Sequence, residues 1–550
     1  MISTRYDSAK KYWCGNEDPS PMFHENVTVA RAVLYLLKLN PDKACQISAD
    51  DGSQRTNGEI YEDTFKIALN MQKNGCSKGD VIGFVCKNSH QLTPAILACL
   101  YLGAPINALD VAFTKDEIIN MFRTTKPKFV FCDDDVARTV QRSLLELESR
   151  ATIIVIGQRV ANFAHIDDFL DDKGSQMEIM SLIMNPPEVD KNSCAAILCS
   201  SGTTGPAKGV ALSHMTLQLQ FCRPVMTLFI EQNDKVFSFS SLYWLSGYTM
   251  MFMSFFLGVT RIITTKPFSP EYAIKIIKDY DVALLFLPPA QTSLLVNSPA
   301  FEKDSLANVK SYMCGGSLVT QELAMKVRQY VTNGLFTVGY GCTESGGISA
   351  QMMPSAKGIK LVLENQGRFA LKAVHSSWYE PSKVSGLTCG KYLIFKFLFR
   401  DTIIIRKATK EVLDKDGWIH TGDIGHFEED GQLYITGRNK EMFKYSNYQI
   451  APSELEEILE THSGVLQAVV VGIPDPTYTD LPAAVIVRKN GSTVTEEELM
   501  KFVEGKVMDY KKLRGGVYFV NEVPMTPSGK IRKMKVRELA ISLFKAKSNL

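Results

Sequence analysis

The sequence has no Cys-x-x-Cys pair and no histidine spacing suited to zinc, although its 550 residues include 12 cysteines and 8 histidines. Scattered single thiols exclude a disulfide framework and a Cys/His structural metal site, and they fit a reducing compartment. An excess of charge of one sign is missing too, since 61 Lys and Arg stand against 59 Asp and Glu for a net charge of +2. Such a chain gives no electrostatic reason to expect nucleic acid or an anionic membrane surface as a partner. The first residues, MISTRYDSAKKYWCGNEDPS, lack the basic-then-apolar pattern of a secretory signal, so secretion is not expected. Long apolar runs are nearly absent. Tyr243 to Val259 imitates a membrane span but is interrupted by glycines and serines and falls short of about 20 residues, so it is expected to be a buried helix without stable membrane insertion. No internal repeat or long low-complexity stretch is evident.

The length implies two or more domains, since single cores stop growing well below this size. Apolar residues at 45% and charged residues at 22% are ordinary for a globular protein. From about Ile47 onward, short β-branched runs alternate with helical patterns, the order expected of parallel sheets covered by helices. Strands are predicted at Val81 to Cys86, Phe129 to Cys132, Ile153 to Ile156 and Val282 to Leu287, the last stopped by Pro288-Pro289. A helix is predicted over Gln91 to Leu102. Composition shifts near Gly437-Arg-Asn-Lys-Glu441, which divides the chain into residues 1–437, a charged hinge at 438–441 that includes Lys440, and a small α+β domain at 442–550. In that small domain Pro452 to Glu460 predicts a helix, with Ser453 and Glu456 as a capping box, followed by strands at Val465 to Val471 and Ala483 to Val487.

The loops carry the chemistry. Ser200-Ser-Gly-Thr-Thr-Gly-Pro-Ala-Lys-Gly209 follows the apolar strand candidate Cys194 to Cys199. Its glycines let successive backbone N–H groups approach an anion, the hydroxyls of Ser200, Ser201, Thr203 and Thr204 add donors, and Lys208 adds a point charge. It is not a kinase or GTPase phosphate loop, which needs Gly-Lys-Ser/Thr opening a helix. Cys314-Gly-Gly-Ser317 is a second close-approach loop, and Gly339-Tyr-Gly-Cys-Thr-Glu-Ser-Gly-Gly347 a third, in which Glu344 suits a hard cation beside phosphates. Trp418-Ile-His-Thr-Gly-Asp423 ends in a carboxylate suited to a ribose, with Arg438 following, although Thr-Gly-Asp is also good turn chemistry. Pro524-Met-Thr-Pro-Ser-Gly-Lys530 presents one lysine on a proline-set loop.

In identity, order and spacing these five segments resemble the adenylate-forming family of acyl-CoA synthetases, beetle luciferases and coumarate-CoA ligases. The tract GRNKEMFKYSNYQIAPSELEEI most resembles its insect luciferase-like acyl-CoA synthetase branch. The resemblance implies an α/β fold: a large N-terminal adenylation domain of two α/β subdomains plus a small β-barrel, with a mobile small α+β C-terminal domain. It implies an ATP-dependent carboxylate-CoA ligase that makes acyl-AMP and pyrophosphate from a fatty or aryl acid and passes the acyl group to CoA. ATP, Mg²⁺ and CoA are the implied cofactors. Ser200, Ser201, Gly202, Thr203, Thr204 and Lys208 would hold the outer phosphates, with Thr343 at the α-phosphate and Glu344 on Mg²⁺. Gly315, Gly316, Ser317, Tyr340 and Gly341 would line the adenine side, and Asp423 and Arg438 would take the ribose. Lys530 would bridge carboxylate and α-phosphate. Lys444 would serve thioester formation after rotation about Lys440. Tyr243 and Trp244 would line an apolar substrate pocket near Gly315 and Gly341.

Three departures stand out. Asn447 occupies a position where the family carries glycine. Leu242-Tyr-Trp-Leu-Ser-Gly247 replaces the histidine pair of beetle luciferases, putting an indole where an imidazole could handle protons. Ile359 to Lys407 lacks the expected glycine- and proline-rich turns. Two other readings accompany the ligase: a luciferase-like monooxygenase, against which Trp244 argues, and a degenerate nucleotide-binding non-enzyme, against which Lys444, Lys530, Asp423 and Glu344 argue. The final Ser548-Asn549-Leu550 resembles a peroxisomal import signal with Asn549 in place of the basic residue, so peroxisome or cytoplasm is the expected location and an import receptor a candidate partner.

Overall fold

The computed structural model describes residues 5–7, 12–14, 23–24, 27–171, 176–200, 208–221, 230–343, 346–354, 392–396, 418–427, 433–446, 448–525 and 530–548. Two large sheets dominate. The first has seven strands, with Ile82–Val85 and Phe129–Asp133 at its centre and the hairpin Cys194–Ser200 and Lys208–Ser213 at one edge. The second has eight. Its parallel centre is Val282–Leu287, Lys235–Ser238 and Thr260–Ile263, and the chain enters it early through Ala44–Ser48 before building the first sheet. The strands expected from the β-branched runs are present, each a near-continuous apolar segment because both faces are covered by helices.

Helix Leu245–Leu257 explains the stretch that imitates a membrane span. It lies between the two sheets, giving Tyr248, Met251, Phe252, Phe255 and Phe256 to the core of the first. Met250 and Met253 pack with Val236 and Leu284 of the second. A helix covered on all sides must be apolar all round. Among the described residues no helix is long and apolar enough to cross a membrane.

A third sheet joins Tyr392–Lys396, Trp418–Phe427 and Leu433–Arg438. Apart from Tyr392–Lys396, the atypical stretch from 359 to 407 lies outside the described residues, as do Asn447, Asn549 and Leu550. The small domain has a five-stranded sheet around the hairpin Val465–Asp475 and Thr479–Arg488, with an apolar cluster on each face.

One expectation is corrected. Ser453 and Glu456 do not form a capping box: the helix begins at Pro452 with Ala451 as cap, so Ser453 is already its second residue. Pro452 has the fixed φ and missing N–H that suit a first helical position, and this pulls the start upstream. The Glu456 carboxylate instead accepts from the Val470 backbone at 2.9 Å and pairs with Lys533 at 3.1 Å. Boxes do form at Thr56/Glu59, Thr114/Glu117 and Thr495/Glu498, each worth about 1 kcal/mol at its cap.

Candidate functional site

The 314–317 and 339–343 segments meet Asp423 and Lys530 at the C-terminal ends of the second sheet's strands, where an open α/β sheet exposes its loops. Strands Ser311–Gly315 and Leu335–Cys342 run parallel with Gly315 beside Gly339. The contact is so close that a Cβ on Gly315 would stand 2.5 Å from the Gly339 carbonyl oxygen. Only glycine fits there. Gly316 follows in a left-handed conformation, φ +95, and turns the chain out of the sheet into exposed Ser317. Leu335–Cys342 folds back on Gly346–Pro354 as a hairpin, with Gly341 opposite Gly347 and Thr343 in the turn. Glu344 lies outside the described residues.

Asp423 and Arg438 are direct cross-strand partners in the third sheet. Thr-Gly-Asp is therefore part of a strand and not a turn. Asp423 is 3% exposed. Its Oδ1 accepts from Arg438 Nε at 2.8 Å and its Oδ2 from the Tyr340 hydroxyl at 2.7 Å. Tyr340 belongs to the second sheet, so this bond ties two sheets at the site. Each carboxylate oxygen keeps a lone pair for a further donor, as binding both hydroxyls of a ribose requires. Burial and the Asp423 charge push the Tyr340 phenol well above its usual range, which keeps it a neutral donor, and the Thr421 side chain is hydrogen-bonded to it. Burial works against the Arg438 charge, but Asp423 and Glu441 outweigh it and raise its pKa.

Strands Cys194–Ser200 and Lys208–Ser213 are antiparallel neighbours with Ser200 paired to Lys208. The candidate phosphate loop thus joins a hairpin rather than a strand to a helix, unlike a kinase or GTPase loop. Ser201, Gly202, Thr203 and Thr204 lie outside the described residues.

The small domain supplies Lys530. Its Cε would sit 3.5 Å from a Cβ placed on Gly316, so the stem lies over the glycine face beside the nucleoside wall. Its ammonium stands 5.0 Å from the centre of the Trp244 ring. Trp244 and Tyr243 are 8% and 5% exposed and pack with Val85, Leu109 and Phe122 in the first subdomain's core. Tyr243 turns inward on Phe113, and Trp244 offers a ring face to Lys530. Lys444 lies elsewhere, exposed on hairpin strand Phe443–Tyr445. Lys440 is exposed in the 3-10 turn Asn439–Glu441. The next residue, Glu441, is fastened to the small domain through Lys533 at 2.9 Å.

Sequence reasoning missed Asp110 and Arg532. Asp110 stands just beyond strand Ile106–Ala108 and is 3% exposed. A carboxylate at the carboxyl end of a parallel strand was the signal that could have found it.

Comparison with known proteins fits this geometry. Residues 37–368 match the AMP-binding enzyme family, and residues 454–530 match the AMP-binding enzyme C-terminal domain. This chain belongs to the AMP-binding enzymes. Relatives of this adenylate-forming enzyme include 4-coumarate–CoA ligase 1 of Petroselinum crispum, 30% identical over 514 residues that cover 90% of this chain and 91% of that protein. The luciferin 4-monooxygenase of Photinus pyralis is 28% identical over 512 residues, covering 89% and 90%. Among solved structures, an anthranilate CoA ligase in complex with anthranoyl-AMP superposes with a TM-score of 0.76 at 18% identity, over 95% of this chain and 98% of that one. That likeness establishes the fold: a large N-terminal domain and a smaller C-terminal domain, as the sequence resemblance implied.

Proposed function

We propose that this AMP-binding enzyme is an acyl-CoA synthetase that adenylates a fatty or aryl carboxylic acid with ATP and passes the acyl group to CoA. The observation that carries this reading is the position of Lys530, brought by the small domain over Gly316 while Asp423, Tyr340 and Arg438 form a nucleoside wall from the large domain. In the first step the acid's carboxylate oxygen bonds to the α-phosphorus of ATP as pyrophosphate leaves. Catalysis of such a step is positioning and charge neutralisation, without a protein nucleophile. Asp423 orients the ribose, and Lys530 brings a cation to the charge that grows between carboxylate and α-phosphate. ATP brings its own divalent cation, with Glu344 as the candidate ligand. In the second step the CoA thiol attacks the acyl carbonyl, AMP leaves, and Lys444 faces the site after the small domain turns about Lys440.

The relatives named for coumarate and anthranilate act on aryl acids, which keeps that class beside fatty acids in the proposal. Light-emitting oxidation is not part of it, since the Trp244 indole has no basic nitrogen to accept a proton. Pyrophosphate release should be measured over fatty acids of graded length and cinnamate-like acids, with and without CoA. Acid-dependent release with thioester formation is the expected result. Release from no acid in the series would overturn the reading, and release without thioester would point to another acceptor.

A further inference from the structure

Lys530 does not meet an ordinary surface. The indole beneath it is held in place: its ring stands edge-on to Tyr243 at 4.6 Å, which in turn stands edge-on to Phe113 at 5.1 Å, and both Tyr243 and Trp244 pack with Val85, Leu109 and Phe122. Lys530 therefore meets one fixed aromatic face of the large domain, and an indole attracts a cation to its face more strongly than any other aromatic side chain. A fixed ring also costs less conformational entropy on docking than a mobile one.

We propose that Trp244 is the receptor on which Lys530 docks, making Trp244 a positioning residue for the adenylation step. The step it serves rests on the ligase reading above; the docking itself does not. Trp244 makes the docked arrangement specific for a cation at position 530. Thioester formation, served by the other face of the small domain, does not use this receptor.

The test separates the two half-reactions in the full-length enzyme, comparing Trp244→Phe and Trp244→Leu. Adenylation is read as acid-dependent pyrophosphate release, and the second step as thioester formation from supplied acyl-adenylate. Domain closure is read as the distance between probes at exposed Lys303 and Met508 with ATP bound. Trp244→Leu should lower the adenylation kcat by about tenfold, with the second step within about twofold. Trp244→Phe should recover part of that loss because a ring face remains, and the closed distance should be depopulated in the same order. Equal loss in both half-reactions would mark a purely structural tryptophan and overturn the proposal. Unchanged adenylation kcat and an unchanged distance distribution in Trp244→Leu would overturn it as well. If the unmodified enzyme releases no pyrophosphate from any acid, the ligase reading falls, and the inter-domain distances of the same variants still decide the docking.

Discussion

The nucleoside wall and the lysine wall of this site are held together in different ways. Tyr340, Asp423 and Arg438 come from strands of one domain, at hydrogen-bond distances of 2.7 and 2.8 Å around a carboxylate that is 3% exposed. The lysine wall is assembled between domains, with the Lys530 ammonium 5.0 Å from an aromatic ring centre and its stem over Gly316. On the proposed function the first is preorganised within the large domain and would persist as the small domain turns, whereas the second would exist only while that domain is docked. An enzyme that runs two steps at one nucleotide can in this way keep one wall rigid and place step-specific lysines on a rotating body.

The largest effect should come from exchanging the two lysines. Lys530→Ala should cut pyrophosphate release by about 10² to 10³-fold while sparing thioester formation from supplied acyl-adenylate, and Lys444→Ala should do the reverse. If either variant damaged both steps equally, the division of labour between the walls would be lost. The nucleoside wall should behave in the opposite manner. Asp423→Ala should weaken ATP and acyl-adenylate alike, by roughly 10²-fold, because it removes charge-assisted hydrogen bonds that serve both steps. It should also lower stability by about 1 to 3 kcal/mol by leaving the inward-facing Tyr340 donor without its carboxylate, which denaturant titration would measure.

The smallest effect concerns the seam between the domains. A cavity of about 380 Å³ there is lined by Thr320, Gln321, Glu322 and Met325 of the large domain and by Glu457, Glu460 and Thr461 of the small one. Burial, with Glu456, Glu322 and Glu457 adding like charge, pushes Glu460 up from 4.5 to about 8, although its side chain keeps partial solvent contact. In that window the unfolded chain releases a proton that the folded one retains, so folding loses stability as pH rises from about 4.5 to about 8. Glu460→Gln should therefore raise the melting temperature by about 2 °C near the upper end of the window and leave it unchanged below the lower end. An equal shift at both ends would show that charge at the seam is not the cause.

Much of this could be read along the chain. The strands at Ile82–Val85, Phe129–Asp133 and Val282–Leu287 were legible because a doubly covered strand is a continuous apolar run. Lys530 and Asp423 stood out because the sequences before them, Pro-Met-Thr-Pro-Ser-Gly and Trp-Ile-His-Thr-Gly, are chemically distinctive. Asp110 was passed over, since its place at the end of a parallel strand marks a position and not a partner. The capping box at Ser453 failed because local propensity at Pro452 set the helix start, and Glu456 found stronger use on Val470 and Lys533.

The sequence by itself determined the class of fold, the order of the loops and which residue types could hold a nucleotide, because those depend on local backbone freedom, side-chain chemistry and apolar periodicity. Only the tertiary structure decided that Tyr340 orients Asp423, that the apolar helix Leu245–Leu257 is wrapped by two cores, and that Lys530 rests on an indole set edge-on against Tyr243. Each of these is a contact between segments far apart in the chain. Their energy comes from proximity and shared burial, which no local pattern encodes.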